Sequence, residues 1–555
     1  MLHLSQGPAR QPSSVSARRT AGSVRRRPAL LAAGLGASAA IALAAAIVPT
    51  LAPAAAMSMA PPPTTAQQEA GMTPELPLAE PTALNATTQR TLRTLRLRLV
   101  AEPKRFDISG KKVWGESYNG HFVGPTLHLV PGEHVELTLV NRLSTATSLH
   151  FHGLHVSPSG SADNPNISVR PGRSFTYHLS IPLDQPPGTF WYHDHDMCMG
   201  NEAMHMSGMT ASAVTAMGCQ DTETQIYDGL AGTIIVGDDR ALLPQPLRHV
   251  ATRILALKDM QITNSGHIVA NTPSYSILSD NPTVRLVNGQ FQPVLDLRPG
   301  ETELWRIANE GADIFYDLKL PGYMFTIVGQ DGYPASRVSR AGTLDLPPAK
   351  RWDVLVTAST HPGSTWLETL PSSTGPQGDN YPGAKLMKVR VAGWPERPFP
   401  VPAGTLPTAV ASLATAHIAA YRVVRLSENA AAAAMYINGK QFNPGTSVFS
   451  TPAILGTTEQ WTVLNETDEI HPFHLHTDHF QVMSVNGVPQ PHTGEQDIVP
   501  VPSAQHGKAG VVVIRIRFTD FTGKVMFHCH IAAHEDAGMM SYVNVVTAPH
   551  SNYRG

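Results

Sequence analysis

Three cysteines in 555 residues, Cys198, Cys219 and Cys529, rule out a scaffold stapled by many disulfides. If Cys529 is spent on a metal, one intramolecular bridge is the most that remains. Charge is also scarce. Only 15% of residues are Asp, Glu, Lys or Arg, the formal net charge is -2, and no basic stripe runs through the body. That argues against nucleic acid as a partner. Hydrophobic residues, at 42%, suffice for large cores, and the length suits several domains rather than one. What the chain has in quantity is 25 His and 18 Met. Imidazole, thioether and thiolate together are a copper ligand set.

The densest knot of such donors is Met526-Phe527-His528-Cys529-His530-Ile531-Ala532-Ala533-His534-Glu535-Asp536-Ala537-Gly538-Met539-Met540. Successive side chains of a β-strand point to opposite faces. On a strand, His528 and His530 face one way and Cys529 the other. Two imidazoles then meet one metal centre and a thiolate meets another, a few bonds away. This suits one-electron transfer between two copper sites.

Residues 1–56 read as an export signal. Arg18-Arg19 and Arg25-Arg26-Arg27 precede an apolar run from Ala29 to Val48, and Ala54-Ala55-Ala56 offers a small-residue cleavage site. The paired arginines resemble a twin-arginine signal. Left uncleaved, the same run would touch a membrane. Either way the body belongs in the periplasm, at the cell surface or in the medium. Residues 57–90, rich in Pro, Thr and Ala, read as a tether.

The remainder is a β pattern. Leu95-Arg96-Leu97-Arg98-Leu99 alternates strictly, and Pro131-Gly132 turns into Val135-Glu136-Leu137-Thr138-Leu139-Val140. Weak repeats recur at domain-scale spacing. Val130-Pro131-Gly132-Glu133 leads to Asn141, Arg298-Pro299-Gly300-Glu301 leads to Asn309, and Glu459-Gln460-Trp461 leads to Asn465. We read three copies of one β-sandwich at 91–245, 246–395 and 419–555, with a linker at 396–418. The middle copy carries no His-X-His pair and is expected to be structural.

The outer copies carry four pairs: His150/His152, His193/His195, His474/His476 and His528/His530. Each pair can converge from one strand face. His471, Cys529, His534 and Met539 remain as a second set, and two His with Cys and a distant Met is a blue-copper ligand set. The motifs His150-Phe151-His152-Gly153, Trp191-Tyr192-His193-Asp194-His195, His471-Pro472-Phe473-His474-Leu475-His476 and the stretch from His528 to Met539 resemble the four copper signatures of the multicopper oxidases. The likeness covers about residues 92 to 546, in the family's order.

That resemblance implies an all-β chain of three cupredoxin-like Greek-key β-sandwich domains with four coppers. His150 and His474 would hold the type 2 copper. His152, His193, His195, His476, His528 and His530 would hold the type 3 pair. His471, Cys529, His534 and, weakly, Met539 would hold type 1. Electrons from a donor would enter at type 1, pass through Cys529 to His528 and His530, and reduce dioxygen to water. Glu535, where related bacterial oxidases place an acidic group, and Asp163 are candidate proton relays. The alternative for Glu535 and Asp536 is a solvated acidic pair.

The stretch between His195 and Gly229 departs from the family pattern. It is long and carries Met197, Cys198, Met199, Met204, His205, Met206, Met209, Met217 and Cys219. Soft sulfur selects Cu(I), so residues 196–219 read as a copper-recruiting insertion. The competing reading is a Met-padded lid closed by a Cys198–Cys219 disulfide. His121, His128, His134, His155, His178, His479, His492 and His506 match no motif and are expected at the surface or in structural roles. The donor is expected to be Cu(I), in copper tolerance, or a phenol, as for laccases. Asp468 and Glu469, just before His471, are placed to dock a cation. The competing functions are a copper-sequestering protein and a copper nitrite reductase, which has two domains per chain and no full type 3 pair.

Overall fold

The computed structural model describes residues 63–84, 94–196, 222–269, 282–376, 378–400, 402–406, 410–429 and 434–548. All belong to one unit, Met59–Gly555. The export signal and the soft donors of 197–219 lie outside the described residues.

Alternation becomes sheet directly. In Thr94–Ile108, Leu95, Leu97 and Leu99 are buried while Arg96 and Arg98 are exposed. This strand runs parallel to His134–Asn141, with Leu95 opposite Val135 and Leu97 opposite Leu137. Together with Lys111–Tyr118 and Ser174–Ser180 they form one sheet. The facing sheet holds Gly124–Leu129, Ala231–Val236, Gly188–His193 and His150–His152.

The same plan returns twice. In the middle domain Ala251–Met260 runs parallel to Thr302–Asn309, and in the last Ile418–Glu428 runs parallel to Thr458–Asn465. A buried Asn ends each second strand and makes the same three bonds each time. Asn141 donates to the carbonyls of Thr145 and Val169, Asn309 to those of Ile314 and Leu346, Asn465 to those of Glu469 and Val501. Each also accepts from the backbone N–H two residues on, at Leu143, Gly311 and Thr467. A buried amide that satisfies loop carbonyls in this way fixes the turn out of the strand. The three weak sequence repeats thus mark one structural device.

The tether expected for 57–90 is, over its described part, seated on the body. A short helix, Thr65–Glu69, carries a buried Gln68 that accepts from the Ile262 N–H, and Leu78 N–H donates to the Val294 carbonyl. No helix among the described residues is long and apolar enough to cross a membrane.

Candidate metal centres

Strand register assembles the histidines. His150 lies opposite His193 in the first domain, and His474 lies opposite His528 in the third. His528 and His530 fall on one side of their strand, with ring centroids 5.4 Å apart. Cys529 turns to the other side, where its Sγ is 3.4 Å from His471 Nδ1 and 3.8 Å from His534 Nδ1. Those two nitrogens are 3.2 Å apart. Donors that share one ion through bonds of about 2.0–2.3 Å stand at such separations. Met539 is fully buried, and its carbonyl accepts from the Cys529 N–H.

The eight paired imidazoles meet between the first and third domains, all buried. Their ring nitrogens converge in three groups: His150, His152 and His474; His152, His193 and His530; His195, His476 and His528. Each group draws on both domains. Burial holds His152, His193, His471, His474 and His476 well below the ordinary imidazole value. It takes His195 and His534 to about 4 and His530 to about 3. Those rings are neutral at pH 7. Buried nitrogens without a hydrogen bond include His150 Nε2, His193 Nε2 and His474 Nε2. Orphaned lone pairs in an apolar wall are costly unless a cation takes them up. The donor chemistry therefore fits metal ions, and the sulfur with two imidazoles fits copper. Burial also pushes the Cys529 thiol well above its ordinary value, so a metal must displace its proton.

Second partners orient the rings. Asp163 accepts from His150 Nδ1 at 3.0 and 3.1 Å, which leaves Nε2 for a metal. His193 Nδ1 is held by the Asp194 carbonyl at 2.7 Å, and His471 Nε2 by Thr467 Oγ1 at 2.7 Å. Glu535 is buried, whereas Asp536 is exposed, so the two are not a solvated pair. Asp536 instead accepts from the N–H groups of Thr222 and Glu223. Glu535 Oε1 lies 3.1 Å from His195 Nε2 and Oε2 lies 3.0 Å from His528 Nδ1. Burial alone would raise its pKa, but His195 and His528 outweigh burial and bring it to about 2. His534 and Glu535 are neighbours on the helix Ala532–Asp536. One residue turns about 100° around a helix, so they reach different centres.

Two carboxylates sit where sequence pattern alone gave less or no signal. Glu469 Oε2 is 3.6 Å from His534 Nε2, and Thr374 of the middle domain donates to its Oε1 at 3.1 Å. Burial, then Asp379 and Asp313, push Glu469 up to about 8. Asp497 stands in no sequence motif, yet it is wholly buried beside His152. His155 is no ligand. Its ring is held by the Thr477 carbonyl at 2.8 Å and by Asp520 at 2.9 Å. His479 is buried against Tyr333, with ring centroids 4.1 Å apart.

Sequence models described as multicopper oxidase match residues 101–217, 255–390 and 417–549, one for each domain. The chain belongs to the multicopper oxidase family. It is 27% identical over 511 residues to a laccase of Bacillus subtilis, covering 80% of this chain and 92% of that one. It is 27% identical over 507 residues to the multicopper oxidase MmcO of Mycobacterium tuberculosis, covering 87% and 92%. Among solved structures, a multicopper oxidase of Campylobacter jejuni, titled a metallo-oxidase, superposes with a TM-score of 0.69 over 86% of this chain and 96% of that one, at 24% identity. The three sandwiches are cupredoxin domains. Membership makes the protein an oxidoreductase that acts on a donor with dioxygen, and its cofactors are four coppers of types 1, 2 and 3.

Proposed function

We propose that His471, Cys529, His534 and Met539 hold the type 1 copper and that His150 and His474 hold type 2. His152, His193 and His530 hold one type 3 copper, and His195, His476 and His528 hold the other. The grouping of ring nitrogens supports this division. When bound, the coppers supply one-electron uptake from the donor and four-electron reduction of dioxygen to water. The chain does the rest. Asp163 keeps the His150 proton on Nδ1. Glu535 stands between two imidazoles as a carboxylate able to carry protons inward, with Asp163 as a second relay. The sealed walls keep bulk water from the reacting oxygen.

The donor we propose is Cu(I). The observation that carries this is the carboxylate rim beside His534. Glu469 touches the only partly exposed ring of its set, Asp468 precedes it, and Asp379 and Asp313 add like charge. A cation relieves that repulsion, and a neutral phenol does not. The soft donors from Met197 to Cys219 suit the same donor as a recruiting segment. Such a role fits export by the twin-arginine route and a place in copper tolerance. Oxygen uptake with Cu(I) and with a phenol, in wild type and Glu469→Gln, tests the reading. Above pH 8, where Glu469 is ionised, we expect the KM for Cu(I) to rise about tenfold or more relative to the phenol, the size of one lost charge contact. Equal change for both donors would remove the case for a cation, and a protein that stores copper without oxygen uptake would support sequestration instead.

A further inference from the structure

Asp497 touches two imidazoles assigned above to different coppers. Its side-chain Oδ1 lies 3.4 Å from Nε2 of His152, from the first domain. Its backbone carbonyl lies 2.9 Å from Nδ1 of His474, from the third. A proton on His152 Nε2 leaves Nδ1 as the lone pair, and Nδ1 faces His530 Nε2 at 3.2 Å. A proton on His474 Nδ1 leaves Nε2, a buried nitrogen with no other partner. One residue therefore sets the tautomer of two ligands.

What fixes Asp497 comes from the middle domain. Arg351 Nη1 and Nη2 donate to its two oxygens at 2.8 and 2.7 Å, a bidentate pair with both side chains at zero exposure. Burial would raise the Asp497 pKa, but the Arg351 guanidinium overrides it and holds the carboxyl below the usual range. Arg351 is itself pinned. Nη1 also donates to the Ala349 carbonyl, Nε donates to the Thr189 carbonyl on the strand that ends in His193, and its backbone N–H donates to Asp331. Gly153 shows how tightly the pair is fitted. A Cβ there would stand 2.4 Å from both Arg351 Nη2 and Asp497 Oδ2, and φ is +81°. The glycine of His150-Phe151-His152-Gly153 is thus demanded by a guanidinium of the next domain along the chain.

We propose that Arg351 is a positioning residue of the three-copper centre, acting from the middle domain through Asp497 on His152 and His474. This rests on the ligand assignment above. The pair fixes ring orientation as well as joining domains, because it ends on the imidazoles themselves. A guanidinium fork suits the task, since Lys cannot hold both oxygens in one plane.

The test compares Arg351→Met, Arg351→Lys, Asp497→Asn and Gly153→Ala with Arg422→Met. Arg422 makes a buried bidentate pair with Glu459 inside the third domain and touches no imidazole in that pair. Three readouts are taken: copper per chain, the blue absorption of the Cys529 copper, and the electron paramagnetic resonance of the non-blue copper. Thermal melting of the metal-free proteins reports folding. The Arg351, Asp497 and Gly153 variants are expected to keep the blue absorption and lose copper affinity at the other sites by about 10–100-fold, the usual effect of removing an outer partner. Arg351→Lys should lose least and Arg422→Met should melt lower yet bind all four coppers. Where Arg351→Met fails to fold, Arg351→Lys and Gly153→Ala decide. Full copper with an unchanged non-blue spectrum in the folded variants would overturn the proposal, as would equal copper loss in Arg422→Met. Wild type that never binds more than one copper would overturn the ligand assignment as well.

Discussion

The two metal centres are built by opposite strategies. The set of His471, Cys529 and His534 comes from the third domain alone and leaves the His534 side chain 13% exposed beside a carboxylate rim. The eight-histidine set is split between the first and third domains, fully walled in, and backed by Asp163, Asp497 and Glu535. A site inside one domain can form as soon as that domain folds, and it can present an edge to a donor. A site between domains exists only once they dock, and docking would exclude water from the oxygen chemistry proposed for it. The His528-Cys529-His530 triplet joins the two because neighbouring residues of one strand face opposite ways.

Separating the centres is therefore the sharpest way to break this comparison. Cys529→Ser should abolish the blue absorption and take donor oxidation to background, while the other three coppers stay. A parallel loss of all copper would show that the centres are not independent. Glu535→Gln should slow oxygen reduction by roughly 10²–10³-fold, within the span of a lost proton-transfer group. The blue absorption and copper count should be unchanged, and stopped-flow reoxidation by dioxygen checks this.

A third expectation concerns acid. His195, His530 and His534 have folded pKa values of about 4, 3 and 4, below the ordinary imidazole value. The unfolded chain then binds more protons than the folded one as pH falls from about 6.5. Metal-free protein should lose stability steadily from there down to about pH 4, read as a falling urea midpoint. Glu535 has the usual carboxylate sign, so its contribution fades only lower, as pH falls from the unfolded value of 4.5 towards about 2. Copper should suppress the histidine part, because the bound ion occupies the lone pairs that protons would take. An apoprotein indifferent to pH between 7 and 4 would contradict the buried, neutral imidazoles.

The smallest effects concern the shared Asn. Asn309→Ala and Asn465→Ala should each cost about 1–3 kcal/mol, the price of buried carbonyls left unpaired. Only Asn465→Ala should also disturb the blue absorption, since Asn465 holds the Glu469 carbonyl in the turn that leads to His471. Circular dichroism melts and visible spectra of the pair decide it.

The histidine pairs, the triplet and the threefold repeat were legible in sequence because each is a local pattern. His150-Phe151-His152 needs only the two-residue period of a strand, and Asn141, Asn309 and Asn465 each follow a similar strand. Asp163 and Glu535 could be suspected from spacing, but their contacts come from folding. Arg351 and Asp497 lie 146 residues apart with nothing periodic between them. An ion pair between domains leaves no mark on either local pattern. For the same reason the middle domain read as merely structural, although it contributes Thr374 beside Glu469 and Arg351 behind His152.

Electron counting tests the central claim most directly. Copper-loaded protein in a sealed cell is given excess donor, and donor oxidised, oxygen consumed and hydrogen peroxide are measured together. Two centres joined by the triplet predict four donor electrons per dioxygen with no peroxide. Two electrons per dioxygen with peroxide accumulating, or donor oxidation without oxygen uptake, would contradict it.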